Sequence, residues 1–267
     1  MKTRIKHLFL LPALAAGLGL MPVVRVTAQT ITNLHSFTGS PDGELPLGGL
    51  MLSGSTLYGT AWGGGSGGGS SGNGTVFAVS TNGTEFRVLH SFTAGTGSIP
   101  NLINSDGAVP PNGALVLSGN TLYGAAFYGG SSGNGTVFAV NTNGTGFTIL
   151  HSFTGPSDGA RPYAGLTLSG NTLYGTANGG GSSGDGTVFS LSFPPPQLTI
   201  IPSGSTMILT WPTNYAGFDY TGYTLESTTN LVSPVWATNS PAPVVVNGQN
   251  VVTNSITGSQ QFYQLIQ

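Results

Sequence analysis

Residues 74–92 read GTVFAVSTNGTEFRVLHSF, and the stretch returns almost unchanged at residues 135–153 as GTVFAVNTNGTGFTILHSF. Each copy alternates apolar and polar residues on both sides of an Asn-Gly pair, Asn82-Gly83 or Asn143-Gly144. Alternation with a period of two predicts strands, and Asn-Gly between two such runs predicts a tight hairpin with a type I′ turn. The repeated stretch is therefore a repeated β-hairpin.

Three landmarks recur in a fixed order between residues 30 and 193. The first is Leu-His-Ser-Phe, the second is Leu-Tyr-Gly, and the third is Gly-Thr-Val-Phe. They begin at Leu34, Leu89 and Leu150, at Leu57, Leu122 and Leu173, and at Gly74, Gly135 and Gly186. Successive histidines are 55 and 61 residues apart, a period typical of propeller blades and other repeat arrays.

Each repeat contains four predicted strands, so the fold class is all-β. The region opens with a lone fourth strand, Thr30 to Phe37, and its last repeat stops after the third strand, at residues 186–193. If the opening strand completed the last repeat, three four-strand repeats would close into a propeller-like ring with no unpaired edge. A β-trefoil-like closure has the same strand count, and two chains together could form a larger ring.

A proline run at residues 194–196 is a stiff linker that cannot join a ladder. It divides a three-repeat β domain, residues 29–193, from a second domain at residues 197–267. Six short alternating runs in that domain predict a small β-sandwich, with Trp211, Trp236 and Tyr263 in its core.

The first 28 residues have the pattern of a secretory signal peptide. Lys2, Arg4 and Lys6 precede an apolar run, and Val26-Thr27-Ala28 predicts cleavage after Ala28. The predicted location is therefore secreted, extracellular or at the cell surface. With no cysteine in the chain, disulfides and thiol chemistry are excluded.

Charge is scarce, since 5% of the residues are charged. After loss of the leader only Arg87 and Arg161 remain against eight carboxylates, a net charge of −6. Two cations cannot neutralise a nucleic-acid backbone or hold the chain on an anionic lipid surface. No second apolar run is long enough to span a bilayer, so no membrane span is expected in the mature chain.

The residues that recur in every repeat are predicted to have structural roles. A three-fold metal site would need the histidine nitrogens about 2 Å from one ion, but the fourth strands of propeller blades lie far apart. Asp-Gly followed by proline is turn chemistry, and one carboxylate per turn is too few oxygens for calcium. We therefore expect no metal and no cofactor. The structural repeat positions are His35, His90, His151, Asp42, Asp106, Asp158, Tyr58, Tyr123 and Tyr174.

One position differs between otherwise similar repeats. After Leu-Tyr-Gly-(Thr/Ala)-Ala come Trp62 in the first repeat, Phe127 and Tyr128 in the second, and Asn178 in the third. Aromatic side chains beside glycines are suitable platforms for sugar rings or peptides. These four residues are the candidate ligand site, and packing between repeats is the alternative.

The pattern argues against an enzyme, because catalytic sites are single and asymmetric whereas these ionisable residues recur with the repeat. The non-repeated acids Glu44, Glu85, Asp219 and Glu226 form no recognisable pair in the sequence. A polysaccharide hydrolase, which needs two carboxylates that meet in space, is the alternative.

The order of GTVF, LHSF, Asp-Gly-x-x-Pro and LYGT resembles the tandem GloVer repeat of bacterial choice-of-anchor surface proteins, over about residues 30–193. The tail, with LTWP at 209–212 and QFYQL at 261–265, resembles a C-terminal module of secreted Verrucomicrobia proteins and is similar to a fibronectin type III domain. The resemblance implies an extracellular protein with no established catalysis. The expected function is adhesion or binding of a glycan or protein, with a structural cell-surface or matrix component as another reading and self-association as an option.

Overall fold

The computed structural model describes residues 29–66, 72–239, 241–258 and 260–267. The predicted leader and its cleavage after Ala28 lie outside the described residues. Residues 34–267 form one compact unit, and residues 29–33, which belong to a separate unit, contain no strand. The described part of the chain contains strands and no helix, so the predicted all-β class is confirmed.

The first two sheets each have four antiparallel strands in sequence order. The first consists of β1 (Met51–Ser53), β2 (Thr56–Ala61), β3 (Thr75–Ser80) and β4 (Phe86–Ser91). The second consists of β5 (Val116–Ser118), β6 (Thr121–Ala126), β7 (Thr136–Asn141) and β8 (Thr148–Ser152). Both hairpins have a register shift in the third strand, after Val76 and after Val137, so the repeated sequence folds the same way twice.

The third sheet is built differently on one side. Its strands are β9 (Ala160–Pro162), β10 (Thr167–Ser169), β11 (Thr172–Gly179) and β12 (Thr187–Ser192). The order β10-β11-β12 matches the first three strands of the other sheets, while β9 pairs with the far end of β11. The position that β4 and β8 hold beside the third strand has no strand in the described part of the third sheet.

The hairpins are present, but the predicted type I′ turn is wrong. Gly83 has a positive φ of 76°, whereas Asn82 is not among the residues with positive φ. The Asn82 side chain instead accepts hydrogen bonds from the Thr84 N–H at 3.0 Å and the Thr84 hydroxyl at 2.7 Å. A capped loop of five residues therefore joins β3 to β4, because the asparagine side chain binds the backbone of its own turn.

Adjacent sheets share a hydrophobic core between them. One cluster joins Tyr58 and Val76 of the first sheet to Leu115 and Phe138 of the second. A second cluster joins the second sheet to the third in the same manner, so the repeats stack face to face.

Ring closure through the opening strand is not confirmed. No closed barrel or propeller is found among the described residues, and no strand is assigned within residues 29–38. Phe37 packs instead against the first sheet, which directly follows it in the chain. Its ring centroid lies 5.1 Å from that of Phe77 and 5.6 Å from that of Phe86. In the described part of the chain, β12 pairs with β11 on one side and has no strand on its other side.

The remaining strands form two larger sheets and one short hairpin. The larger sheets run β13-β14-β20-β19 and β18-β17-β21, and the hairpin is β15-β16. The strands are β13 (Thr199–Ser203), β14 (Thr206–Pro212), β15 (Asn214–Tyr215), β16 (Phe218–Asp219), β17 (Thr224–Thr228), β18 (Ala237–Thr238), β19 (Val244–Val246), β20 (Gln249–Ser255) and β21 (Phe262–Ile266).

The core of this region draws on both larger sheets. Leu209 and Trp211 of β14 cluster with Leu225 of β17, and Tyr263 packs against them, whereas Trp236 is half-buried outside the cluster. Phe218 of the short hairpin stacks on Phe193 with 4.6 Å between ring centroids. The hairpin thereby covers the end of the third repeat, and the domain boundary at residues 194–196 stays a prediction.

Candidate functional site

A cluster of one histidine, one aspartate and one threonine recurs in each repeat. In the second repeat the carboxylate of Asp106 accepts hydrogen bonds from His90 Nε2 at 2.9 Å, from the Thr93 N–H at 3.0 Å and from the Thr93 hydroxyl at 2.6 Å. The other two clusters repeat this geometry, with Nε2–Oδ2 distances of 3.0 and 2.9 Å. They consist of His35, Thr38 and Asp42, and of His151, Thr154 and Asp158.

The residues around each aspartate explain why Asp-Gly recurs. The Asp106 carbonyl accepts a hydrogen bond from the Thr136 hydroxyl of the GTVF motif at 3.4 Å. Gly107 has φ of 97°, and a side chain there would lie 2.5 Å from the Thr136 hydroxyl and 2.7 Å from Ala126. Only glycine fits this position, because it needs both the left-handed backbone and the absence of a Cβ.

Hydrogen bonding holds two of these carboxylates in the ionised form. Desolvation is the largest single influence and raises the pKa, but bonds from the Thr38 hydroxyl and N–H bring the pKa of Asp42 below its ordinary value. For Asp158, desolvation is likewise outweighed by bonds from Thr154 and the Gly155 N–H, and the pKa falls to about 2. Donors that favour the charged form lower a carboxyl pKa in this way.

Each histidine ring also reaches toward the next repeat. His90 stacks on Phe147 with 3.5 Å between centroids and 7° between planes, and His35 stacks on Phe86 at 3.5 Å and 5°. Among the described residues no strand lies at the corresponding place of the third repeat, and the His151 side chain is 38% exposed, against 17% for His90. The cluster therefore ties the end of one repeat to the hairpin of the next.

The histidines do not converge on a common point, since each is paired with a carboxylate of its own. No group of three or more histidine, aspartate or glutamate side chains in the described ranges is placed to hold a metal ion.

The candidate ligand positions follow strands β2 and β6 or lie in β11. The Trp62 N–H donates to the Leu45 carbonyl at 3.0 Å, and the Phe127 N–H donates to the Val109 carbonyl at the same distance. Trp62 is 37% exposed, and Asn178 is exposed on β11. Trp62 and Phe127 thus make equivalent backbone hydrogen bonds, whereas the candidate side chains differ in exposure and in their neighbours.

Phe127 and Tyr128 belong to a larger group of side chains. The rings of Phe127 and Tyr128 are 4.6 Å apart, and Phe127 lies 5.6 Å from Tyr163. The Arg161 guanidinium lies 5.9 Å from the Tyr128 ring centroid, and Asn112 donates to the Tyr163 hydroxyl at 2.8 Å. We call Phe127, Tyr128, Tyr163 and Arg161 the aromatic platform.

The sequence interpretation missed Tyr163 and Arg161, which lie just after the Asp-Gly of the third repeat. It also missed Thr38, Thr93 and Thr154, although each directly follows Leu-His-Ser-Phe. The fixed position after Leu-His-Ser-Phe could have predicted the role of the threonines. No such repeated sequence position predicts Tyr163 or Arg161 as part of the platform.

The recurrent tyrosines differ in burial. Tyr58 and Tyr123 lie in the cores between sheets, whereas Tyr174 is half exposed on the third sheet. The Tyr123 hydroxyl is buried and has no hydrogen-bond partner among the described residues. Desolvation first, then Asp219 and Tyr220, raise the pKa of Tyr123 well above its usual range, so its hydroxyl stays protonated.

A groove of about 910 Å³ lies beside the second sheet. It is lined by residues 119–121, by five residues of the range 141–148 and by six residues between Thr213 and Thr221. Asp219 is its one charged lining residue among the described positions, and amides and hydroxyls supply most of the rest. Such a lining offers hydrogen bonds without strong charge.

Two comparisons bear on this site. Residues 101–201 match the family model described as the Gloeobacter/Verrucomicrobia repeat. The match includes Asp106 of the second cluster, the whole third cluster and the aromatic platform, and it confirms the GloVer resemblance for this stretch. The likeness of the tail to fibronectin type III is not shown, and no curated protein matches the chain. Within the described ranges, no helix is both long enough and apolar enough to cross a membrane.

Proposed function

We propose that the chain is a secreted, non-catalytic repeat protein that binds an extracellular glycan or protein. The leader-like sequence of the first 28 residues supports secretion. The repeated histidines and aspartates support the absence of catalysis, because hydrogen bonds to their own repeat occupy them.

The aromatic platform carries the binding part of the proposal. Tyr163 is 50% exposed, although its hydroxyl is held by Asn112 and its ring touches Phe127. A fixed aromatic face loses little entropy when a sugar ring or an apolar side chain stacks on it. Arg161 and the nearby amide add polar contacts that orient a ligand.

The test combines a glycan array with a reducing-sugar release assay on the mature chain. We expect binding without sugar release, and Tyr163→Ala should weaken binding about fivefold to tenfold, from an aromatic contact worth about 1–1.5 kcal/mol. Tyr215→Ala is the matched control, because Tyr215 is 52% exposed on the short hairpin instead of the platform. Release of reducing sugar would favour the hydrolase, and unchanged binding by Tyr163→Ala would remove the platform from the site.

A further inference from the structure

The groove beside the second sheet is enclosed by three separate stretches of the chain. They are the turn between β5 and β6, the turn between β7 and β8, and the short hairpin of β15 and β16 with the residues beside it. Its volume of about 910 Å³ is within the range of small-molecule sites, about 300–1,000 Å³. Thr121 at one end of β6 lines the groove, whereas Phe127 follows the other end of that strand. The groove and the aromatic platform are therefore separate sites.

Two glycines let the short hairpin lie directly against the turn between β5 and β6. A side chain at Gly119 would lie 2.6 Å from the Asp219 carboxylate, and one at Gly217 would lie 2.8 Å from the Thr121 hydroxyl. Gly54 occupies the position of Gly119 in the first repeat, and a side chain there would meet no described atom within 4 Å. The hairpin therefore adds a wall to the second repeat and not to the first.

The groove lies where the second repeat departs from the first in charge. The hairpin of the first repeat carries Glu85 and Arg87, and the equivalent residues of the second repeat are Gly146 and Thr148. Gly146 and Thr148 both line the groove. The difference removes a negative charge, a positive charge and two long side chains from this surface, which leaves room for a neutral ligand.

An amide also takes the place of a hydroxyl in the second repeat. Ser55 of the first repeat corresponds to Asn120, which lines the groove. In the third repeat the equivalent Asn171 donates from its side chain to the Phe193 carbonyl. The Asn120 side chain has no hydrogen-bond partner among the described residues. A free amide offers both donors and an acceptor to a ligand.

Other polar side chains of the groove are held in place by the chain itself. Asn141, where the first repeat has Ser80, accepts a hydrogen bond from the Thr121 hydroxyl at 3.2 Å. The Asp219 carboxylate accepts hydrogen bonds from the Thr221 N–H at 2.8 Å and from the Thr221 hydroxyl at 2.9 Å. Side chains that are already fixed lose little freedom when a ligand binds.

We propose that this groove binds a neutral oligosaccharide. Sugar hydroxyls donate and accept hydrogen bonds, and the amides and hydroxyls of the lining do the same. Asp219 is the one charged lining residue among the described positions, so it accepts from sugar hydroxyls and repels phosphate and carboxylate groups. This second site deepens the proposed function, on which it rests, by naming the class of ligand.

The experiment titrates the mature chain with xylohexaose, cellohexaose and mannohexaose in turn, and with a galacturonic acid trimer as the acidic comparison. Amide NMR spectra locate any binding. We expect at least one of the neutral sugars to shift the signals of Gly119, Gly146 and Gly217, one from each wall of the groove. The acidic trimer should leave these signals in place.

One variant blocks the groove and a second removes its free amide. Thr148→Arg introduces the residue type that Arg87 supplies in β4, so the chain should fold, and the longer side chain should weaken binding about tenfold or more. Asn120→Ser, which matches Ser55, should weaken binding about threefold to tenfold through the lost hydrogen bonds. Thr199→Arg makes the same change as Thr148→Arg at an exposed residue of β13 and should keep full affinity.

The platform variant separates this site from the first one. Tyr163→Ala should leave the groove signals and their titration unchanged. Sugar binding that persists in Thr148→Arg but is lost in Tyr163→Ala would assign the sugar to the platform and overturn the groove as its site. Binding of none of the neutral sugars would also overturn the groove, whereas the platform would still stand on a protein ligand.

Discussion

Replacing Asp106 with alanine should be among the most damaging single changes to the repeat region. Asp106 is 5% exposed and accepts bonds from His90 and from the backbone and side chain of Thr93. Leaving a buried donor without its acceptor costs about 1–3 kcal/mol, and more where the lost acceptor is a charged group. The loss is large because the donors of His90 and Thr93 are left without an acceptor.

The assay is urea unfolding followed by tryptophan fluorescence, with two comparison variants. Asp158→Ala removes the same bonds from a more exposed cluster, where the side chain is 25% exposed against 7% for Asp106, so its loss should be smaller. Asp185→Ala removes an exposed carboxylate and should change stability by less than about 0.5 kcal/mol. A midpoint for Asp106→Ala equal to that of Asp185→Ala would refute the structural role of the clusters.

Three further outcomes are expected. The pKa of Asp158 is lowered from 3.8 to about 2 in the folded chain, so the ionised carboxylate stabilises the fold fully above pH 4. The melting temperature should therefore fall as the pH drops from about 4 to 2, and a melting temperature that does not change over this range would count against the cluster. Gly113→Ala would force a Cβ into the backbone of Gly165 and should cost about 1–3 kcal/mol in chemical denaturation, whereas Gly222→Ala, with open space around it, should be neutral. Calorimetric titration with zinc should give no stoichiometric heat, because a separate carboxylate binds each histidine, and tight binding would contradict that pairing.

The strands were readable from the sequence because their signals are local. The run from Thr75 to Ser80 alternates, and its copy from Thr136 to Asn141 does the same, so both appear as strands with their hairpins. The choice of a partner for Thr30 to Phe37 is not local. Alternation shows that a segment can pair, but it does not say which edge receives it, and here His35 and Phe37 pack against the hairpin of the next repeat.

The clusters illustrate the same limit at the level of side chains. His35 and Asp42 are 7 residues apart, but His90 and Asp106 are 16 apart, so no constant spacing marks the pair. The turn at Asn82 was mispredicted because its side chain binds Thr84, an interaction that competes with the tighter turn. Exposure of Tyr163 depends on the path of the chain between two repeats, which residue type alone does not determine.

Hydrogen exchange along β12 tests most directly whether the stack of repeats ends in an open strand edge. In dilute solution the outward amides of Thr187–Ser192 should exchange far faster than those of Thr75–Ser80 and Thr136–Asn141, whose strands are paired on both sides. Protection of β12 equal to that of the inner strands in dilute solution would contradict the account, because the edge would then be filled within one chain.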